Sequence, residues 1–204
     1  MSDEVFVDPV GPPPDSPVVA GATLLEWLKW RHGVRVEREI RLNTPRRVAR
    51  AFEEMTAGYA EDPKEILGKT FKTPEFPSQI VIVEGIRFVS LCAHHLLPFV
   101  GQATVGYVPG SEGRVAGLSK IPRLVECRAR RLQLQETLAH EIAHDLLAHL
   151  EPAGVGVILK AAHSCMSCRG VKQVDAQMVT SVMLGVFMAE AAARAEFMML
   201  ANHD

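Results

Sequence analysis

Two short runs of cysteine and histidine, Cys92-Ala93-His94-His95 and His163-Ser164-Cys165, constrain this chain more than any other feature. Each follows a segment of strand character, Ile86 to Leu91 in the first case and Val155 to Ala162 in the second. Each run therefore falls where a strand gives way to a loop. If both runs serve one purpose, the fold must bring two distant strand ends together. Thiolate and imidazole in this mixture suit zinc, which takes sulfur and nitrogen ligands readily. Two cysteines and one histidine leave a fourth tetrahedral position for water, the pattern of a catalytic rather than a structural site. Spacing does not choose between the neighbouring histidines. Cys92 and His95 can meet across a turn, whereas Cys92 and His94 can share one strand face.

The other two cysteines are Cys127 and Cys168. Cys165-x-x-Cys168 lacks a second such pair to complete a four-cysteine zinc site, and its context is unlike a thioredoxin-type redox unit. Cys127 falls on an expected helix and reads as packing. The N-terminus shows no basic region followed by an apolar core, and no apolar run approaches the ~18 residues of a membrane span. The expectation is a cytoplasmic protein with reduced thiols. With 48% hydrophobic residues among 204, a core is possible without disulfides. A net charge of −2 gives no sign of a nucleic-acid or membrane partner.

Residues 1–17, with Gly11-Pro12-Pro13-Pro14, read as a flexible arm. Residues 18–78 read as a helical region. Leu24, Leu25 and Leu28 suggest a short amphipathic helix ending near Gly33. Thr44-Pro45 looks like the start of a second, running through Val48, Phe52 and Met55 to about Gly58. Pro63 to Leu67 adds a turn, and a loop with Pro74 and Pro77 follows. Residues 79–204 change character. Strands are expected at Ile80 to Val83 and Ile86 to Leu91, separated by Glu84-Gly85, then at Val100 to Val108 and Val155 to Ala162. Helices are expected at about Ser119 to Arg128, Leu134 to Leu150 and Ala189 to Ala201. Strands grouped around a helix pair favour an α+β class.

His140-Glu141-Ile142-Ala143-His144 matches the H-E-x-x-H pattern of zinc peptidases. Helical periodicity speaks against that use. Leu134, Leu138, Ile142, Leu146 and Leu150 form the apolar stripe, and both histidines fall nearly opposite its centre. The longer form of the motif needs glycine where Leu147 stands. The pair reads as a solvated face. On the same helix, Gln135 falls inside the apolar arc and Glu136 at its edge, and inward polar groups need partners.

Several runs, in this order, resemble GTP cyclohydrolase I: Asn43-Thr44-Pro45-Arg46-Arg47-Val48-Ala49, Leu91-Cys92-Ala93-His94-His95-Leu96-Leu97-Pro98-Phe99 and Gly117-Leu118-Ser119-Lys120-Ile121. They continue with Arg131-Leu132-Gln133-Leu134-Gln135-Glu136, His163-Ser164-Cys165-Met166, Arg169-Gly170-Val171 and Thr180-Ser181-Val182-Met183-Leu184-Gly185. The resemblance spans about residues 22 to 200. It implies a tunnelling fold, an antiparallel sheet with paired helices preceded by N-terminal helices. It also implies a homodecamer of two stacked five-membered rings, with active sites between subunits. The implied reaction is the zinc-dependent conversion of GTP to 7,8-dihydroneopterin triphosphate with release of formate, the first step of pterin- and folate-type biosynthesis.

Carried over by motif, Cys92, His95 and Cys165 become the zinc ligands, and His94 and His163 the acid–base pair. Glu136, supported by Gln135, would recognise the guanine edge. Ser119, Lys120, Arg123 and Arg169 would hold the ribose and triphosphate, joined by Arg47 and Arg50. Arg128, Arg130 and Arg131 are expected in surface or subunit contacts. Two positions depart from the family pattern. Ala93 stands where glutamate is usual, removing a carboxylate beside the metal ligands. Asn43 replaces an aspartate, and asparagine can also cap a helix. A nitrile reductase on the same fold, using a cysteine nucleophile and no catalytic zinc, is disfavoured by the two Cys/His runs. A catalytically weakened purine- or pterin-nucleotide-binding module, suggested by Ala93, would bind GTP without releasing formate.

Overall fold

A computed structural model of the protein describes residues 17–72 and 79–201. The expected flexible arm lies outside these residues except for Pro17, and so does the expected loop around Pro74 and Pro77. The chain divides into two units, residues 1–54 and 55–204.

The first unit holds α1 (Pro17–His32) and most of α2 (Arg38–Met55). The first helix stops where Gly33 adopts a φ of 62°, close to the expected end. Its buried Gly21 lies against α2, since a Cβ there would stand 3.0 Å from Pro45 Cα. The second helix does not begin at Thr44-Pro45. It begins at Arg38, and Pro45 sits inside it, buried. A polar ladder carries the helix upstream: Glu39 accepts from Asn43 Nδ2 at 3.2 Å and from Arg47 at 2.8 Å. The Asn43 amide, with the Arg47 guanidinium, holds the Glu39 carboxyl below its ordinary range. Asn43 is thus a mid-helix residue rather than a cap. Proline's missing N–H is tolerated because these side-chain bonds hold the turn on either side of it.

The second unit opens with a short 3₁₀ turn and α3 (Pro63–Leu67), capped by Asp62 accepting from Lys64 N–H at 2.9 Å. There follow β1 (Thr70–Lys72), β2 (Val81–Cys92), β3 (Pro98–Val108), β4 (Arg114–Ala116), α4 (Lys120–Ala129), β5 (Leu132–Gln133) and α5 (Gln135–Leu150). The chain ends its described part with β6 (Gly154–His163), α6 (Ser164–Ser167), β7 (Met178–Gly185), α7 (Val186–Ala189) and α8 (Ala191–Leu200). The main sheet runs β5-β2-β3-β6-β7, antiparallel except for the short β2/β5 pair, while β1 and β4 form a separate ribbon. This is the α+β class, with the antiparallel sheet and helix pair expected of a tunnelling fold.

Two readings of the strands need correction. The expected strands at Ile80 to Val83 and Ile86 to Leu91 are one strand, because Glu84-Gly85 form a bulge and not a turn. Gly85, at φ 66°, takes up the irregularity. The edge strand β7 was not anticipated, nor was the short α7 after it; the expected last helix is α8, beginning two residues later than expected.

The helix pair α4 and α5 covers one face of the sheet. Ile121, Leu124 and Val125 from α4 and Leu138, Ile142, Leu146 and Leu150 from α5 pack with Phe88, Phe99, Val105, Val157 and Leu159. Leu134 leaves the stripe: it precedes α5 in extended conformation and is exposed. On the other face Phe197 of α8 fits a notch made by Gly106 and Gly156. A Cβ at Gly156 would meet the Phe197 ring at 2.8 Å, so only glycine leaves room for it.

Arg128 and Arg131 are not surface groups. Arg128 donates to both carboxylate oxygens of buried Asp145, at 2.6 and 2.7 Å, and stands 3.6 Å from Glu141. Arg131 donates to the carbonyls of Gly58 and Cys127, tying the 3₁₀ turn to α4. Cys127 is fully buried against the same turn, as its helical position suggested. Arg128→Ala would strand a buried carboxylate, and we expect a loss of about 3–5 kcal/mol in unfolding free energy by urea titration. Adding Asp145→Ala should recover part of that loss.

Candidate active site and metal centre

Cys92 is the last residue of β2, and the chain returns into β3 through Ala93 to Leu97. The turn is tight: His95 and Leu96 both donate their N–H to the Cys92 carbonyl, at 3.2 and 2.8 Å, and Leu96 takes a φ of 51°. That backbone path swings His95 back over Cys92, with Nδ1 3.7 Å from Sγ. Ala93 is exposed, and its N–H donates to the Gln133 carbonyl at 3.0 Å, pinning the turn to β5. Cys165 arrives from the other side, in the single turn of α6 that follows β6.

Cys92, His95 and Cys165 each offer a ligand atom within 4.8 Å of the other two. A tetrahedral zinc separates a sulfur from a nitrogen ligand by about 3.6 Å and two sulfurs by about 3.8 Å. The donor set and its spacing therefore fit zinc. Burial pushes the Cys165 thiol up, and the adjacent Cys92 sulfur adds to the effect. A bound dication would reverse that balance, since a coordinating thiol is deprotonated outright. The geometry also separates the two histidines that spacing left equivalent. His95 faces the sulfurs, while exposed His94 stands edge-on to it with ring centroids 6.2 Å apart.

His163 ends β6 with its ring stacked on Phe99, centroids 4.5 Å apart and planes within 3°. Its Nε2 lies 2.8 Å from Gln135 Oε1. The Gln135 amide nitrogen donates to the carbonyls of Leu159 at 3.1 Å and Met178 at 2.9 Å, and to Thr180 Oγ1 at 3.3 Å. Those acceptors fix which end of the amide is which. The Gln135 oxygen then faces His163, so Nε2 carries a hydrogen and Nδ1 is left as the free nitrogen. Burial lowers the His163 pKa, and the Glu136 charge works against that shift.

Glu136 is exposed in the first turn of α5, beside this histidine. Arg169, exposed in the loop after α6, is near enough to bias the Cys165 thiol toward its anion. Ser119, Lys120 and Arg123 lie together at the start of α4. Among the described residues, no hydrogen bond or ion pair joins their side chains to the Cys/His group. Arg47 and Arg50 belong to α2 in the first unit, where Arg47 pairs with Glu39. Sequence reasoning missed Phe99, Gln133 and Thr180 as parts of the site's support. Phe99 and Thr180 stand in the quoted runs, and their inward strand positions were the available signal.

The sequence model of GTP cyclohydrolase I matches residues 22–202. The chain belongs to the GTP cyclohydrolase I family. Curated relatives named GTP cyclohydrolase 1 agree. That of Desulforamulus reducens is 51% identical over 157 residues, 77% of this chain and 82% of the relative. That of Nitrosospira multiformis is 49% identical over 160 residues, covering 78% and 82%. That of Campylobacter curvus is 46% identical over 165 residues, covering 81% and 85%. Family membership makes the chain an enzyme, and among the described residues no helix is long and apolar enough to cross a membrane. Nitrogen-detected NMR of His163 should show hydrogen on Nε2, and Gln135→Leu should abolish that preference. A wild-type ring protonated at Nδ1 alone would contradict the Gln135 bond.

Proposed function

We propose that the chain is a zinc-dependent hydrolase that opens the imidazole ring of GTP, releases C8 as formate and yields 7,8-dihydroneopterin triphosphate, the first step of a pterin- or folate-type pathway. The observation that carries this reading is the meeting of Cys92, His95 and Cys165, with His163, two residues before Cys165 in the chain, bonded to Gln135. Zinc at those three residues would supply a Lewis acid that makes water nucleophilic near neutral pH, tempered by the charge of two thiolates.

The remaining roles belong to side chains. His163, with Nε2 engaged, has Nδ1 free to carry a proton to purine N7. His94, exposed on the turn beside His95, is placed to relay protons with solvent. The Glu136 carboxylate offers two acceptors to the N1–H and 2-amino group of guanine. Lys120, Arg123 and Arg169, with Ser119, supply charge and hydrogen bonds for a triphosphate and ribose, and so hold the base for attack. The family resemblance also implies triphosphate contacts for Arg47 and Arg50. It further implies a homodecamer, in which neighbouring subunits would complete each site. Residues 79–204 would form the catalytic domain and 18–78 a helical region before it. All four cysteines are free, which suits a reducing cytoplasm.

Incubation of zinc-loaded protein with GTP should release formate and produce pterin fluorescence. Cys92→Ser or Cys165→Ser should lose zinc and activity together, and formate release from a verified zinc-free variant would sink the scheme. Glu136→Gln keeps shape but drops the charge, and should lower kcat/KM about 10- to 150-fold. An unchanged kcat/KM would remove Glu136 from base recognition.

A further inference from the structure

The helix motif His140-Glu141-Ile142-Ala143-His144 has no part in the chemistry above, yet its two histidines are not merely solvated. His140 is exposed, but His144 is half-buried, and its Nε2 is shielded from solvent with no hydrogen-bond partner among the described residues. The rings stand one helical turn apart with centroids 3.8 Å from each other, inclined at 65°. Two imidazole nitrogens on one tetrahedral ion sit about 3.3 Å apart, a separation that rings at this spacing can reach. We propose that His140 and His144 form a second transition-metal site on α5, separate from the Cys92, His95 and Cys165 group, for a divalent ion that favours imidazole such as Zn²⁺, Ni²⁺ or Cu²⁺.

Glu141 decides what such a site does. In a zinc peptidase the glutamate of this motif activates water. Here its Oε2 accepts from Gln133 Nε2 at 2.8 Å and stands 3.6 Å from Arg128, so the carboxylate is held in the α4–α5 seam. The site binds an ion and lacks a free base for hydrolysis. Rotation of exposed His140 would bring its ring nitrogen toward the shielded nitrogen of His144. The ion would then satisfy the shielded nitrogen of His144, which otherwise remains a desolvated polar atom. Water fills the remaining positions. This inference does not depend on the proposed reaction.

The test is equilibrium dialysis of the full-length protein against excess Zn²⁺, with metal and protein both quantified. His140→Gln, an exposed substitution that leaves the fold intact by circular dichroism, should bind one equivalent per chain less than wild type. His144→Gln should show the same deficit, and the wild-type-to-His140→Gln difference should persist in a Cys165→Ser background. Equal zinc content in wild type and His140→Gln overturns the proposal, whatever the Cys/His group binds.

Discussion

The register of three strands sets everything that happens at the Cys/His group. Phe99 of β3 pairs with Ser90 on β2 and with His163 on β6. Both neighbours run antiparallel to β3, so they end at the same edge of the sheet. Cys92 lies two residues beyond Ser90 on β2, and Cys165 follows His163 in α6, so both cysteines leave the sheet at the same edge, on either side of β3. A slip of one residue in either pair would send a cysteine to the opposite face. The register is well protected, because the inward residues Ile86, Phe88, Ala103, Val105, Val157 and Leu159 would leave the core in the same slip. The hydrophobic pattern that folds the sheet therefore also assembles the ligands.

Around that register the helix pair is fastened by polar groups in places where water is scarce. Buried Gln133 donates both to the Arg128 carbonyl and to Glu141, while its own carbonyl accepts from Ala93 next to Cys92. Arg128 in turn grips Asp145. The chain of contacts runs from α5 through α4 and β5 to the turn that carries His94 and His95. Apolar packing alone would let the helices slide on the sheet with little penalty. Directional bonds at low dielectric penalise such a slide, because each one broken leaves a desolvated partner.

Much of this was legible beforehand, and the failures have physical causes. Strand ends bearing cysteine and histidine were readable because period-two apolar runs lead straight into them. The α5 stripe was readable from Leu138 to Leu150, and it contained a clue to Arg128 that went unused. Asp145 falls in the buried arc, so a cation had to meet it. A guanidinium on a helix looks the same in sequence whether it faces solvent or a buried carboxylate. The α2 start was misplaced because Thr44-Pro45 is a strong local signal for a helix start, while Glu39, Asn43 and Arg47, spaced four residues apart on one helix, are exposed polar groups that each add little. Strand β7 was hidden for another reason. It is an edge strand with one face half covered, so its apolar and polar residues do not separate cleanly.

That overlooked edge strand turns out to govern the histidine. Met178 and Thr180 of β7, with Leu159 of β6, are the acceptors that orient the Gln135 amide. Only with that end of the amide committed does its oxygen face His163, and only then is Nδ1 left open. Phe99 stacking fixes the ring plane but not its proton, since a parallel aromatic contact is indifferent to tautomer. The division of labour follows from the chemistry of each partner. An apolar ring supplies position, an amide anchored on backbone carbonyls supplies protonation, and the strand that looked least informative in the sequence holds the amide in place.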